Sequence, residues 1–409
     1  MSTAVPTGVS FDAFEPRHRA DPYPAYRRVR DASALFPYAF GDVPVTLITR
    51  YEECAQVLTG ADWGHGYGAG ISPFRDTTAA IPGSFVRMDP PEHARYRRYV
   101  AKAFSPSVMS ELAPLAGRVV DDLLDHALAR GEFDVLEDLA VPLAVAMVPV
   151  RLLGADPADA EHFRNWQLAI ARGSDPDSLL TEADVAARTA AGMECMGYFA
   201  RLLGRKKDAP GNDLLGELIA ASREEGGLTE PEVVGISLLT LVAGMETSIN
   251  LIASGLLALL RHPEQVALLR ARSELLGPAI EEMLRYDAPT QFTIRVALRD
   301  TVLGGVEFRR GDGVVVLTAS ASRDDRVFED ADDFVLTRYE GNRPARRHLG
   351  FSLGVHFCVG APLARIEAVA ALRALLERTS DLRLVREQVD YRPSLIHRGI
   401  AALPVTVVR

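Results

Sequence analysis

Phe351-Ser352-Leu353-Gly354-Val355-His356-Phe357-Cys358-Val359-Gly360-Ala361-Pro362-Leu363-Ala364-Arg365 decides how this chain is read. Its one cysteine stands in a glycine-flanked loop, and a helix is expected just behind it. Gly354 and Gly360 free the backbone to turn and to lie close against a flat ligand, where a side chain would collide. Pro362 suits the first turn of a helix, where its missing amide hydrogen costs nothing. Cys358 is therefore expected at a helix N-terminus, among free amide hydrogens and the positive end of the dipole, a setting that favours a thiolate. A lone cysteine is more often a small buried hydrophobe. Two glycines, a histidine and a helix start at fixed offsets overturn that reading here.

The pattern Phe351-x-x-Gly354-x-His356-x-Cys358-x-Gly360, followed by Leu363-Ala364-Arg365, resembles the haem-binding signature of the cytochrome P-450 family. The resemblance covers essentially the whole chain. It implies one domain over residues 1–409, mainly α with small β-sheets, and haem b (iron protoporphyrin IX) between a long central helix and the cysteine loop. Cys358 would ligate the iron, with Phe351, His356 and Gly360 in the cofactor site. That a thiolate pushes electron density onto haem iron and favours O–O cleavage belongs to this cofactor class and is not deduced from the residues.

Composition bounds the rest. The 409 residues are 48% hydrophobic and 24% charged, ordinary for a globular protein with a large core. A formal net charge of −10 argues against nucleic acid as a partner. Cys54, Cys195 and Cys358 are too few and scattered for a disulfide framework or a zinc site. Met1–Pro6 has neither a basic n-region nor an apolar h-region, so a cytoplasmic protein without membrane attachment is expected, of the soluble bacterial type within the family.

Along the chain, a helix is expected around Pro24–Asp31, a strand at Val45–Ile48, and then a short helix. Gly64-His65-Gly66-Tyr67-Gly68-Ala69-Gly70 lacks the GxGxxG spacing and a preceding strand, so it reads as a mobile loop. In Met88-Asp89-Pro90-Pro91-Glu92-His93 an Asp N-cap, a first-turn proline and a Glu three after the cap open a helix. His93 and Arg97 share a face of it, and the resemblance makes them holders of the haem propionates. Residues 106–225 read as amphipathic helices, with Trp166, Met193, Met196, Tyr198 and Phe199 as core. Thr229-Glu230-Pro231-Glu232 is a capping box, and helical pattern runs on to about Arg261, roughly 50 Å at 1.5 Å per residue. Apolar on nearly every face, this helix should be buried, and Glu246 near its centre needs a reason.

Ala243-Gly244-Met245-Glu246-Thr247 supplies it. Gly244 clears space for something bulky, and an acid beside an alcohol can pass protons into a dry pocket, although Thr247 alone could simply bond the preceding turn. The resemblance makes Glu246 and Thr247 the family's catalytic acid–alcohol pair. It also aligns Glu282-Met283-Leu284-Arg285 with a buried ExxR ion pair, makes Arg295 a further propionate holder, and points Val242, Ala243, Phe292, Thr293 and Ile396 (or His397) at substrate. One departure stands out: family members commonly carry an arginine just before the phenylalanine of the following loop, and here Asp333 precedes Phe334, so either Arg323 or Arg338 substitutes or the triad is incomplete.

No flavin or nicotinamide fingerprint is present, so electrons are expected from a ferredoxin and its reductase, docking at Arg98, Lys102, Arg343, Arg346 and Arg347. The resulting expectation is a monomeric monooxygenase that hydroxylates or epoxidises a small hydrophobic substrate. Polyketides, macrolides, peptides and terpenoids fit its actinobacterial likeness, and loops 62–87 and 164–180 should carry specificity. A peroxide-driven enzyme and a non-catalytic haem protein are the alternatives; the intact Glu246–Thr247 pair argues against both.

Overall fold

The computed structural model describes residues 9–40, 42–175, 177, 180–341 and 345–408. Its helices run α1 Tyr23–Ala32, α2 Tyr51–Thr59, α3 Glu92–Lys102, α4 Pro106–Arg130, α5 Val141–Val145, α6 Ala160–Arg172 and α7 Glu182–Lys206, then α8 Leu214–Ala221, α9 Glu230–Arg261, α10 Pro263–Ala271, α11 Leu276–Tyr286, α12 Thr318–Ala321 and α13 Ala361–Arg378. The strands are β1 Leu35–Phe40, β2 Val43–Ile48, β3 Trp63–Gly64, β4 Glu132–Asp134, β5 Thr293–Ala297, β6 Thr301–Leu303, β7 Val306–Phe308, β8 Gly313–Val316, β9 Asp381–Leu384 and β10 Pro404–Val408.

The 32-residue α9 is the axle. Its predicted capping box forms in both directions: the Thr229 hydroxyl accepts from the Glu232 amide, and the Glu232 carboxylate accepts from the Thr229 amide. By length and composition α9 could cross a membrane, but 72% of its apolar window is buried, with α5, α6, α7, α11 and α13 packed on it, which makes it a core helix.

Five strands in the order β1-β2-β8-β5-β3 form the main sheet. β1 and β2 pair antiparallel from Leu35↔Ile48 to Phe40↔Val43, and β2 runs parallel to β8 with Thr46 opposite Val314. Pro37 is tolerated because β1 is an edge strand. Gly313–Val316 is buried throughout, as a strand covered on both faces requires. A smaller sheet joins β4, β10 and β9, and β6 turns into β7 through Gly304 and Gly305, whose φ of 54° and 79° suit a two-residue hairpin.

Several sequence expectations shift. Asp89 does not cap α3, which begins at Glu92; its carboxylate accepts the amides of His65 and Gly66 at 2.7 and 2.8 Å. The glycine-rich stretch is thus tethered at its start. Met193 lies 66% exposed, whereas Trp166, Tyr198 and Phe199 are buried as expected. Residues 164–172 are not loop but the second half of α6. Pro176 and Arg343 lie outside the described residues.

Candidate active site

The cysteine loop folds on its own backbone. The Cys358 amide donates to the Phe351 carbonyl at 2.9 Å, and the Phe357 amide to the Gly354 carbonyl at 3.0 Å. Gly354 has φ 66°, and a Cβ there would strike the Leu58 carbonyl at the end of α2. Its freedom therefore serves a turn wedged against α2 rather than approach to a ligand. Gly360 is the N-cap of α13, Pro362 lies in the first turn, and Cys358 is half-buried two residues before the cap. Burial pushes the Cys358 thiol up, while the amides of Gly360 and Ala361 and the charges of Arg97 and Arg365 pull it down. The helix N-terminus alone therefore does not secure the thiolate that the sequence suggests.

Beside the cysteine lies a cluster of basic groups. The His356 ring sits 4.3 Å from that of His93 and 5.0 Å from that of His65. Arg97 donates to the Phe357 carbonyl at 2.6 Å, and buried Arg295 to the Ile294 carbonyl at 2.7 Å and the Thr293 hydroxyl at 2.9 Å. Among the described residues, neither arginine forms an ion pair. Burial and the neighbouring cations push His356 down to about 2 and Arg295 to about 10, and burial likewise lowers His93 and His65. His356 Nε2 and His65 Nδ1 are buried without a hydrogen-bond partner. Two arginines without a carboxylate partner, beside neutral histidines with orphaned nitrogens, are suited to receive an anion. Sequence reasoning missed His65, whose place depends on the Asp89 tether between elements distant in sequence.

Midway along α9 the packing opens: Ala243 is exposed and Val242, Gly244 and Thr247 are half-buried, between the buried Leu241, Met245 and Glu246. Gly244 does not face the opening; a Cβ there would meet Val148 at 3.1 Å. Glu246 is buried and fully engaged: Asn250 Nδ2 donates to Oε1 at 2.7 Å, Arg392 Nη2 lies 3.1 Å from Oε1, and Gln167 donates to Oε2. The Thr247 hydroxyl donates to the Ala243 carbonyl at 2.7 Å. Of the other substrate candidates, Thr293 and Ile396 are half-buried. Phe292 is fully buried just before β5, its ring tilted against that of Phe14 at 5.0 Å within a separate apolar cluster, so it does not line the opening.

A known family shares this arrangement. Residues 201–380 match the family model "Cytochrome P450". The chain is 37% identical to the cytochrome P-450 monooxygenase PikC of Streptomyces venezuelae, over 99% of this chain and 95% of that protein. It is also 37% identical to the nocardicin C N-oxygenase of Nocardia uniformis subsp. tsuyamanensis, over 88% and 89%. A solved structure of the P-450 BioI with an acyl carrier protein ligated to hexadec-9Z-enoic acid superposes with TM-score 0.87 at 31% identity, covering 96% of this chain and all of that one. The chain belongs to the cytochrome P-450 family.

This P-450 is an oxidoreductase that binds haem b, and its residues fit the group. Cys358 is the available soft ligand, and iron binding would deprotonate it despite the opposing burial. His93, Arg97, Arg295 and His356 would hold the two haem carboxylates. Behind the site, Glu282 and Arg285 form a fully buried ion pair with two contacts of 2.7 Å. Arg338, one of the two candidates from the sequence, completes the triad at 3.1 Å from Glu282, while Asp333 contributes only its backbone carbonyl to Arg285. Arg323 is instead sandwiched between the Tyr23 and Tyr286 rings, 3.5 and 3.9 Å from their centroids.

Proposed function

We propose that this P-450 is an O₂-dependent, ferredoxin-fed monooxygenase that hydroxylates or epoxidises a small hydrophobic secondary metabolite, with Glu246 and Thr247 as its proton-handling pair. Haem ligated by a thiolate supplies the activation and cleavage of O₂. The chain's own residues do the rest. The basic cluster fixes the cofactor's carboxylates, Val242, Ala243 and Thr293 offer an apolar and lightly polar wall for substrate, and the packed α9 excludes bulk water. Ile396, at the edge of the same opening, would help to set the substrate's position.

The observation that carries this reading is a buried acid next to an alcohol beside exposed Ala243, midway along α9. Glu246 takes a proton at a carboxylate oxygen from the Arg392 side and passes it through water toward the Thr247 hydroxyl. PikC and the nocardicin C N-oxygenase, by their names a monooxygenase and an N-oxygenase, support the oxygen-transfer class and a secondary-metabolite substrate. We take the enzyme to be cytoplasmic and monomeric.

The test compares two assays on one enzyme preparation and one panel of hydrophobic metabolites that shift the haem absorption band. Product from NADPH, ferredoxin reductase and ferredoxin, but little from hydrogen peroxide alone, is the expected result. Comparable turnover with peroxide alone would make it a peroxygenase, and no turnover in either assay with a binder in place would favour a non-catalytic protein.

A further inference from the structure

The last loop of the chain is an arch built around one arginine. The Arg392 amide donates to the Gly399 carbonyl at 2.8 Å, and Tyr391 pairs with Ile400, so residues 391–400 close on themselves. From one limb the Arg392 guanidinium reaches α9, with Nη2 3.1 Å from Glu246 Oε1 and 2.7 Å from Asn250 Oδ1. Gly399 makes the room: a Cβ there would lie 2.7 and 2.9 Å from two guanidinium nitrogens and 2.8 Å from Asn250 Oδ1. The other limb is gripped by Asp175, buried just beyond α6. Its carboxylate accepts the amides of Leu395 and Ile396, each at 2.9 Å, and the Ser394 hydroxyl at 3.1 Å. α6 itself supplies Gln167, which donates to the same Glu246.

We propose that Arg392 is a positioning residue for oxygen activation, and that Asp175 transmits the placement of the α6 end to Glu246 through the arch. The proposal rests on the reading of Glu246 as the proton carrier. In the observed arrangement both Glu246 oxygens are occupied by Gln167, Asn250 and Arg392 and neither by Thr247, whose own hydroxyl is turned to the Ala243 carbonyl. A proton can therefore pass only when the carboxyl exchanges a partner. Arg392 sets the charge and rotamer from which that exchange starts. The proton is taken up from water at a Glu246 oxygen and released to water beside Thr247, leaving Glu246 as it began. A buried carboxylate with its cation removed would lose that starting position.

The test needs no substrate. In substrate-free turnover with NADPH and a surrogate ferredoxin and reductase, O₂ takes two electrons and two protons to leave as peroxide, one per NADPH. If protons arrive in time, the O–O bond is cleaved, and two NADPH reduce O₂ to two waters. The R392Q and D175N holoenzymes are each expected to raise the peroxide share about threefold and to enlarge the solvent isotope effect, with R392K largely restoring both. The infrared stretch of CO on the ferrous haem should shift in R392Q, because a charge near the pocket has gone. The double variant should be no worse than the worse single one, the signature of one coupled path. Additive effects, or wild-type peroxide and isotope effects in R392Q and D175N while E246Q is impaired, would overturn the proposal alone. An unimpaired E246Q would remove the proton-carrier reading and this one with it. If R392Q fails to give a thiolate haem spectrum, G399A decides: it keeps every polar group but crowds the guanidinium, and should match D175N, a wild-type result overturning the proposal.

Discussion

Arg338 Nε lies 3.1 Å from Glu282 Oε2, so a residue four positions beyond Phe334 takes the place that the family resemblance gave to an arginine just before it. Glu282 and Arg285 are both fully buried, and Arg285 also collects the carbonyls of Ser322, Ala331 and Asp333 at 3.1, 2.6 and 2.7 Å. Removing Arg338 leaves Glu282 held by Arg285 alone and a buried carboxylate short of donors, a cost below the roughly 3–5 kcal/mol of breaking the pair itself. Arg338→Ala should therefore lower the thermal midpoint sharply and reduce haem retention. Asp333→Ala, which keeps the carbonyl, should move it by no more than about 0.5 kcal/mol. Equal losses in a denaturant titration of the two variants would contradict this division of roles.

A second carboxylate ties the cysteine helix to α11 and makes stability depend on acid. Burial would raise Glu281, but hydrogen bonds from Arg365 at 2.6 and 2.9 Å and from His348 at 3.2 Å bring it from the usual 4.5 down to about 2. Burial lowers His348, so Arg365 carries most of the positive charge facing Glu281. A depressed carboxylate stabilises the fold fully above its unfolded value. That contribution should fade as pH falls from about 4.5 toward about 2. Its ceiling is roughly 3 kcal/mol. Glu281→Gln should flatten the acid limb of the stability–pH curve measured by urea unfolding; an unchanged limb would assign the acid sensitivity elsewhere.

Cys358→Ala removes the available soft ligand. The variant should lose the red-shifted carbon monoxide band of thiolate-ligated ferrous haem and bind hemin less tightly. A retained band would mean another axial ligand.

How much of this was legible in advance follows from the range of each interaction. The capping box at Thr229 and Glu232, the i,i+3 pair Glu282–Arg285 and the cysteine loop are local, and all are where the sequence puts them. Arg338 was one of two candidates because only the folded loop shows that Arg323 is committed to Tyr23 and Tyr286. Asp89 resembled a cap, since an Asp before two prolines satisfies the local rule; its real partners, the amides of His65 and Gly66, lie on a distant strand end. Phe292 was set at the opening by the resemblance, together with its neighbour Thr293; successive residues of an extended chain point to opposite faces, and Phe292 is the one that is buried. Arg392 gave no signal at all: an arginine in a polar tail is ordinary until a buried acid is seen opposite it.

Thr247→Ala removes the hydroxyl nearest the open stretch of α9 while leaving the helix bond pattern intact, since that hydroxyl only doubles the Ala243 carbonyl. Haem content and stability should stay within about 0.5 kcal/mol of wild type. Product per NADPH should fall by about tenfold, with the missing electrons recovered as peroxide. Unchanged coupling with any metabolite that turns over would remove Thr247 from proton handling.

The electron donor's landing site can be narrowed by geometry. Arg346 is already paired with Glu52 at 2.8 Å and stacked on Tyr51, whereas exposed Arg347 lies 5.0 Å over the Phe357 ring, one residue from Cys358. Arg98 and Lys102 are exposed on α3, the helix whose Arg97 bonds the Phe357 carbonyl. An acidic partner would gain mainly in association rate from such charges, an effect that salt screens. Reversing Arg346 and Arg347 together to Glu should slow ferredoxin-supported reduction by about tenfold at low ionic strength and progressively less as salt is added. The share due to Arg347 should dominate, because Glu52 already offsets Arg346. Carbon monoxide binding after chemical reduction with dithionite needs no docking and should be untouched. A loss that persists at high salt, or that appears equally in the dithionite-reduced spectrum, would mean that the double variant has damaged the cysteine loop through Phe357 rather than a docking surface.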